Sequence, residues 1–382
     1  MFKCEKCGND NPKYIGYKNG KPYCRYCITF KGETAEQYKP HGGSVVMDIK
    51  YPLSNEQSKI SEKIKNNYVN GIDTLVDAVC GAGKTELIYE VIANALSRQK
   101  TVAFAVPRRD VVIELLPRIK KVFPSNSVIA VYGGHTEKLT ADIVVLTTHQ
   151  LYRYPEMFDL IILDEIDAFP FKDNDLLLAM LNNAKRGRIV MMSATPSDKV
   201  LQEFSKQNHD ILHLDVRFHH KPLPVPSLQI RWGYLKYYSL VKKLHVFFNQ
   251  NKPVFIFCPT IEKAEIVFKF VKRIFKGGNI VHSKRKDREK VIEDFKNGKY
   301  RYLVTTAVLE RGITIKDLQV VIFDADNPIY DEHALIQISG RVGRKYDAPE
   351  GEVVFYADKN TKAISRAIST IRSKNQKLQG VF

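Results

Sequence analysis

The sequence predicts an α/β protein with two parallel-sheet domains behind a small metal-binding module. Short apolar runs alternate with helical patterns over most of the chain, as they do where parallel strands are covered by helices on both faces. That rhythm is broken once, at His219 to Pro226, where three prolines in five residues exclude a helix or a central strand. Four of the six cysteines lie in the first 27 residues, as two C-x2-C pairs.

The pairs Cys4–Cys7 and Cys24–Cys27 are separated by sixteen residues, with Gly8 placed for a tight turn after the first. Four thiolates at this spacing close a tetrahedral Zn²⁺ site, and a site closed by four protein ligands is structural, not catalytic. Lys13, Tyr14, Tyr17, Lys18, Lys21, Tyr23, Arg25 and Tyr26 lie between or inside the pairs. They suit either stacking on nucleic acid or covering a very small core. Lys31 to Ser44 is polar and carries Gly32, Pro40, Gly42 and Gly43, the composition of a linker. Residues 1–44 are therefore expected to form the module and its linker.

In the first sheet domain, residues 45–218, strands are expected over 74–79, 101–106, 128–132, 143–147, 160–163 and 189–192. Leu87, Ile88, Val91, Ile92, Ala95 and Leu96 trace a helical face after the first of them. A semi-rigid connector is expected over 219–235, with His219 and His220 read as ordinary linker polarity. In the second domain, residues 236–382, strands are expected over 254–257, 279–282, 302–305, 320–323 and 353–356.

The chain has 382 residues, and its 59 Lys and Arg against 42 Asp and Glu give a net charge of +17. Such a balance implies an anionic partner, nucleic acid or a membrane surface. The basic tail from Ala363 to Leu378 has too few apolar residues for a membrane-surface helix. No apolar run approaches the ~18 residues of a membrane span, and Met1 to Asn11 carries charges and cysteines where a signal peptide is apolar. A cytoplasmic protein is the expectation.

Two stretches carry the chemistry. Gly81-Ala82-Gly83-Lys84-Thr85 follows an expected strand and opens an expected helix, the context of a phosphate-binding loop. Its glycines let backbone N–H groups close round a phosphate, Lys84 reaches the terminal phosphates of ATP, and Thr85 ligates Mg²⁺. The strict pattern has glycine where this chain has Ala78. The second stretch, Asp164-Glu165-Ile166-Asp167, ends the apolar run 160–163, where open α/β sheets place ligands. Asp164 suits the magnesium shell, and Glu165 suits the water that attacks the γ-phosphate.

In order, Gln57, the phosphate loop, Pro107-Arg108-Arg109, Thr147-Thr148-His149-Gln150, the acidic stretch, Ser193-Ala194-Thr195, Thr305-Thr306 to Gly312, and Gln337-Ile338-Ser339-Gly340-Arg341-Val342-Gly343-Arg344 together resemble the superfamily 2 helicases. The resemblance implies two RecA-like domains with ATP in a cleft between them. It implies that Gln57 reads adenine, that Gln337 lies near the attacking water, and that Arg341 and Arg344 reach the γ-phosphate. By the same likeness Arg108, Arg109, Thr148, His149 and Thr306 touch the backbone of one nucleic-acid strand. Asp167, Ser193, Thr195 and Gly312 would couple the nucleotide to that path.

A four-cysteine module ahead of such a core is similar, more narrowly, to the late-competence ATPases of Gram-positive bacteria. That likeness implies ATP-driven handling of single-stranded DNA in natural transformation, near the uptake channel and with other competence proteins. The primosomal helicase also joins zinc cysteines to a helicase core, but its cysteines interrupt the core. A DNA helicase of the primosomal or duplex-unwinding repair kind, an RNA helicase and a non-catalytic zinc-dependent scaffold are the alternatives.

Overall fold

The computed structural model describes residues 2–40, 45–50, 52–167, 171, 174–205, 208–306 and 314–379. It divides into two compact units, Met1–Leu214 and Asp215–Phe382.

The first unit opens with a hairpin of antiparallel strands β1 (Ile15–Lys18) and β2 (Lys21–Cys24). Its sheet contains β3 (Asp73–Ala78), β4 (Val102–Val106), β5 (Val128–Val131), β6 (Ile143–Thr147), β7 (Phe158–Asp164), β8 (Lys185–Ser193) and β9 (His209–Leu214). The order is β5-β6-β4-β7-β8-β3-β9, with every pairing parallel. β4 and β6 are buried along their whole length, which is why they read as unbroken apolar runs. The helices are α1 (Asn55–Val69), α2 (Lys84–Leu87), α3 (Tyr89–Ser97), α4 (Arg109–Val122), α5 (Asp175–Ala184) and α6 (Asp198–Phe204). A capping box starts α1: Ser54 Oγ accepts from Gln57 N, and the Gln57 side chain accepts from Ser54 N.

Register places the site. Asp77 lies opposite Ser193, Asp164 opposite Met192, and Val106 opposite Thr147. With all strands parallel, the phosphate loop, the acidic stretch, Arg108 and Thr148 leave the sheet at the same edge.

The cysteine module belongs to the same compact unit as this sheet. Cys4, Cys7, Cys24 and Cys27 share one apolar cluster with Leu151, Tyr152, Leu177, Met180 and Leu181. The stretch expected as a linker is hydrogen-bonded to the 3₁₀ segment Thr148–Arg153. Gly32 N donates to Tyr152 Oη at 3.0 Å, Ala35 N to the Arg153 carbonyl at 2.6 Å, and Arg153 Nη1 to the Glu33 carbonyl at 2.7 Å. A Cβ at Gly32 would sit 2.0 Å from Arg153 Nη2 and 2.1 Å from Tyr152 Oη, so a larger residue would have to displace the two side chains that hold this stretch.

The second unit has β10 (Ser227–Ile230), β11 (Val254–Phe257), β12 (Gly278–Val281), β13 (Tyr302–Thr305), β14 (Gln319–Phe323) and β15 (Val353–Ala357), in the order β10-β15-β14-β11-β13-β12 and all parallel. Its helices are α7 (Tyr234–Asn249), α8 (Ile261–Ile274), α9 (Arg288–Lys296), α10 (Glu332–Ser339) and α11 (Lys362–Gln379). β10 falls inside the stretch expected as a connector, and β9 was not expected as a strand at all. Both are edge strands with mixed exposure, so neither presents a continuous apolar run.

Candidate active site

The phosphate loop joins β3 to α2. Gly81 and Gly83 have φ of +83° and +79°, the left-handed backbone this loop requires, and Gly83 caps α2. Ala78 explains its own departure from the strict pattern. It is the last residue of β3, fully buried and paired with Leu214, so the position needs no glycine. Gln57, buried on α1, donates from Nε2 to the Ala82 carbonyl at 2.8 Å while its Oε1 accepts from Ser54 N at 2.9 Å. Here its amide braces the loop. Lys84 and Thr85 follow at the start of α2, both half-buried.

Asp164 ends β7, and its Oδ1 accepts from Glu165 N at 2.8 Å. Burial pushes the Asp164 carboxyl up to about 6; Lys84 opposes that shift, while Glu165 and Asp167 add to it. Glu165 has φ of +59°, strain of the kind that collects at functional sites. Asp167 joins the acidic stretch to the end of β8: Ser193 Oγ donates to its Oδ1 at 2.8 Å and Thr195 Oγ1 to its Oδ2 at 3.0 Å. Ser193 Oγ also accepts from Thr195 N at 3.0 Å. One carboxylate thus holds together two motifs that are far apart in sequence.

The residues assigned to nucleic acid separate in kind. Arg108 is half-buried at the N-cap of α4. Arg109 is exposed, its guanidinium carbon 4.9 Å from the Tyr132 ring centroid. Thr148 is fully buried, so its hydroxyl is not offered to a strand. The half-buried His149 lies with its ring centroid 6.2 Å from that of Phe30, and burial holds its imidazole below the ordinary value. In the second unit Thr306 is half-buried, its carbonyl accepting from Thr305 Oγ1. Gly312 lies outside the described residues.

Gln337, on α10, is buried, as is Arg341 in the turn that follows. Arg344 is half-buried and donates from Nε to the Gly340 carbonyl at 2.8 Å. Sequence reasoning missed Arg217 and His219, which hydrogen-bond the carbonyls of Val342 and Gly343, both at 2.8 Å. The only signal was an arginine and a histidine just before a proline-rich stretch, which separates them from no other polar segment.

The four N-terminal cysteines are buried free thiols whose sulfurs all lie within 4.8 Å of one another. Cys4 Sγ is 3.5 Å from Cys27 Sγ, and Cys7 Sγ 3.8 Å from Cys24 Sγ. A tetrahedron with Zn–S bonds of about 2.3 Å has S···S edges of about 3.8 Å, so the cluster fits one such ion. Gly8, with φ of +69°, donates from its N to the Cys4 carbonyl at 2.8 Å and closes the knuckle.

Comparison with known proteins agrees with this geometry. Residues 55–204 match the family described as DEAD/DEAH box helicase, and residues 236–346 match the helicase conserved C-terminal domain. The competence protein ComFA of Bacillus subtilis is 31% identical, covering 98% of this chain and 86% of that protein. ComFA of Streptococcus pneumoniae is 32% identical, covering 98% and 90%. Among solved structures, RecG bound to a three-way DNA junction has a TM-score of 0.63 at 18% identity, covering 87% of this chain and 49% of that one. Saccharomyces cerevisiae Dbp5 bound to RNA and ADP BeF3 has the same TM-score at 18% identity, covering 84% and 91%. At such identity these two show the fold alone. Among the described residues no helix is long and apolar enough to cross a membrane.

Proposed function

The chain belongs to the ComFA family of competence proteins, and from that premise we propose that it is an ATP-dependent translocase of single-stranded DNA, acting in DNA uptake for natural transformation. Its two helicase domains make it a helicase-type ATPase. The observation that carries the reading is the Asp167 bridge to Ser193 and Thr195, beside the loop that carries Lys84. It gives the hydrolytic acids a fixed mechanical link to a second strand end.

In this proposal Gly81, Ala82 and Gly83 wrap the phosphates with backbone N–H groups and Lys84 meets their charge. Gln57 leaves its brace on Ala82 to meet the base. Thr85 and Asp164 would hold Mg²⁺, which neutralises charge on the transferring phosphoryl group. Asp164 must be ionised to do so, and its buried carboxyl gains most from a cation. Glu165 orients and deprotonates the attacking water, and Gln337 helps to place it. Arg341 and Arg344 meet the charge that spreads over the γ-phosphate oxygens.

Arg108, Arg109, His149 and Thr306 contact one DNA strand through its sugar-phosphate backbone, with Thr148 contributing through its main chain. Such contacts carry no base information, so binding is insensitive to sequence and weakens with salt. Cys4, Cys7, Cys24 and Cys27 would hold zinc as a structural staple. Other competence proteins at the uptake channel are the expected partners, with the protein cytoplasmic and held at the inner face of the membrane through them.

ATP turnover measured with single-stranded DNA, duplex DNA and RNA tests the substrate. Single-stranded DNA should stimulate most. Equal or greater stimulation by RNA would move the assignment to an RNA helicase, and no turnover with saturating DNA would leave a scaffold.

A further inference from the structure

The residues that lead into the proline-rich stretch are built into the arginine loop of the second unit. Arg217 is 1% exposed, and its Nη2 donates to the Val342 carbonyl at 2.8 Å. His219 Nε2 lies 2.8 Å from the Gly343 carbonyl. Lys221 N lies 3.1 Å from His219 Nδ1, and a backbone N–H can only donate. Nδ1 therefore accepts, the neutral ring carries its proton on Nε2, and Nε2–H donates to Gly343. Burial, which holds this imidazole below its ordinary value, favours the same neutral form. The Phe218 ring packs edge-on against the imidazole, centroids 4.8 Å apart.

The main chain of the loop is confined at Gly343 as well. Gly343 has φ of +65°, and a Cβ there would meet the Pro349 carbonyl oxygen at 2.2 Å. The two clamped carbonyls are those of the only residues between Arg341 and Arg344. Their fixing leaves the main chain that spaces the two guanidinium groups little freedom.

We propose that Arg217 and His219 are positioning residues for ATP hydrolysis, which set the spacing and direction of Arg341 and Arg344 by holding the carbonyls of Val342 and Gly343. The proposal rests on the reading of Arg341 and Arg344 as the arginines that meet the γ-phosphate. An arginine fork stabilises a transition state only from the correct place, and a misplacement of about 1 Å costs on the order of a hundredfold in rate. Neither clamp residue touches nucleotide in this role. Their loss should lower kcat and spare the KM for ATP.

The test is steady-state ATPase of the full chain with a saturating single-stranded oligonucleotide. His219→Ala should lower kcat about tenfold with KM within about twofold, and Arg217→Met should lower it further. His219→Gln presents an amide N–H where Nε2–H was, and should recover kcat to within about threefold of the parent. A His219→Ala protein with parental kcat would overturn the proposal, even with a lowered melting temperature, since that is the mark of a merely structural role. So would a loss confined to KM, or a His219→Gln protein no better than His219→Ala. If Arg217→Met does not fold, the His219 pair decides alone. Arg341→Ala and Arg344→Ala in the same assay separate the two layers. If both keep full kcat, the reading of the arginines fails and the clamp falls with it; if they lose kcat while His219→Ala does not, only the clamp is overturned.

Discussion

In the first sheet domain the catalytic edge is held by side chains. Asp167 ties Ser193 to Thr195, Gln57 braces the phosphate loop, and Glu165 sits in a strained backbone between two acids. In the second domain the arginine loop is held through its main chain, by Arg217 and His219 on the carbonyls of Val342 and Gly343. The first device depends on the motif residues themselves. The second depends on residues outside every motif and grips carbonyl oxygens, not side chains, although its second clamped position admits only glycine. In the proposed reaction the two groups of residues are therefore open to different kinds of damage.

The largest effects are expected from the side chains of the first sheet domain. Lys84→Ala or Glu165→Gln should lower DNA-stimulated ATP turnover at least about a hundredfold with folding unchanged by circular dichroism. Activity within a few fold of the parent would show that these side chains do not carry the reaction. The Asp167 network comes next. If Ser193 and Thr195 act only through Asp167, then Asp167→Ala and the double variant Ser193→Ala/Thr195→Ala should each lower DNA stimulation about tenfold, and the triple variant no more than either. Additive losses would mean that the three residues work separately.

A smaller effect concerns the cysteine module. By spacing alone, a module behind a linker would melt by itself when its metal is lost. Here its cysteines share an apolar cluster with Met180 and Leu181, and residues 32–35 are hydrogen-bonded to Tyr152 and Arg153. Cys4→Ser/Cys7→Ser should lose bound zinc and lower the melting temperature of the first unit by about 5 °C. Full stoichiometric zinc in that variant would contradict the four-cysteine site, and an unchanged melting temperature would contradict the shared core.

The smallest expected effect is a pH dependence. Asp159 is buried at the amino end of β7; burial alone would raise its pKa, but Arg186, the Thr101 backbone and Lys100 hold it below the usual carboxylate range. Arg186 Nη2 is 2.6 Å and Nε 3.0 Å from the two carboxylate oxygens. On acidification the unfolded chain takes up this proton first, so the stabilisation is complete above the ordinary aspartate value near ~4 and is lost as pH falls through the lowered folded value. Asp159→Asn should cost about 2 kcal/mol at pH 7, read from the urea midpoint of the first unit, with the gap closing below about pH 4. A gap constant from pH 7 to 3 would show that the charge is not what stabilises.

The same contrast decides how much was legible in the sequence. Gly81 to Thr85 and Asp164 to Asp167 could be read because their function lies in side chains at fixed spacing after apolar strands. The Asp167 contacts with Ser193 and Thr195 could only be inferred from resemblance, since they join residues brought together by the pairing of β7 with β8. The clamp was invisible, because a donor to a main-chain carbonyl leaves no mark on the residue it holds. His219 therefore read as linker polarity. Gly32 reads as linker flexibility for a similar reason, whereas a side chain there would displace Tyr152 and Arg153, which lie more than a hundred residues away in sequence. β9 and β10 escape the reading because polar residues break their apolar pattern, His209, Asp210 and His213 in one and Ser227 and Gln229 in the other.

One measurement bears most directly on the central claim, that hydrolysis drives movement along a single strand. Streptavidin bound to a biotinylated single-stranded oligonucleotide should be displaced by this protein in the presence of ATP and Mg²⁺, and left in place by Glu165→Gln. DNA-stimulated hydrolysis without displacement from either end of the strand would contradict it.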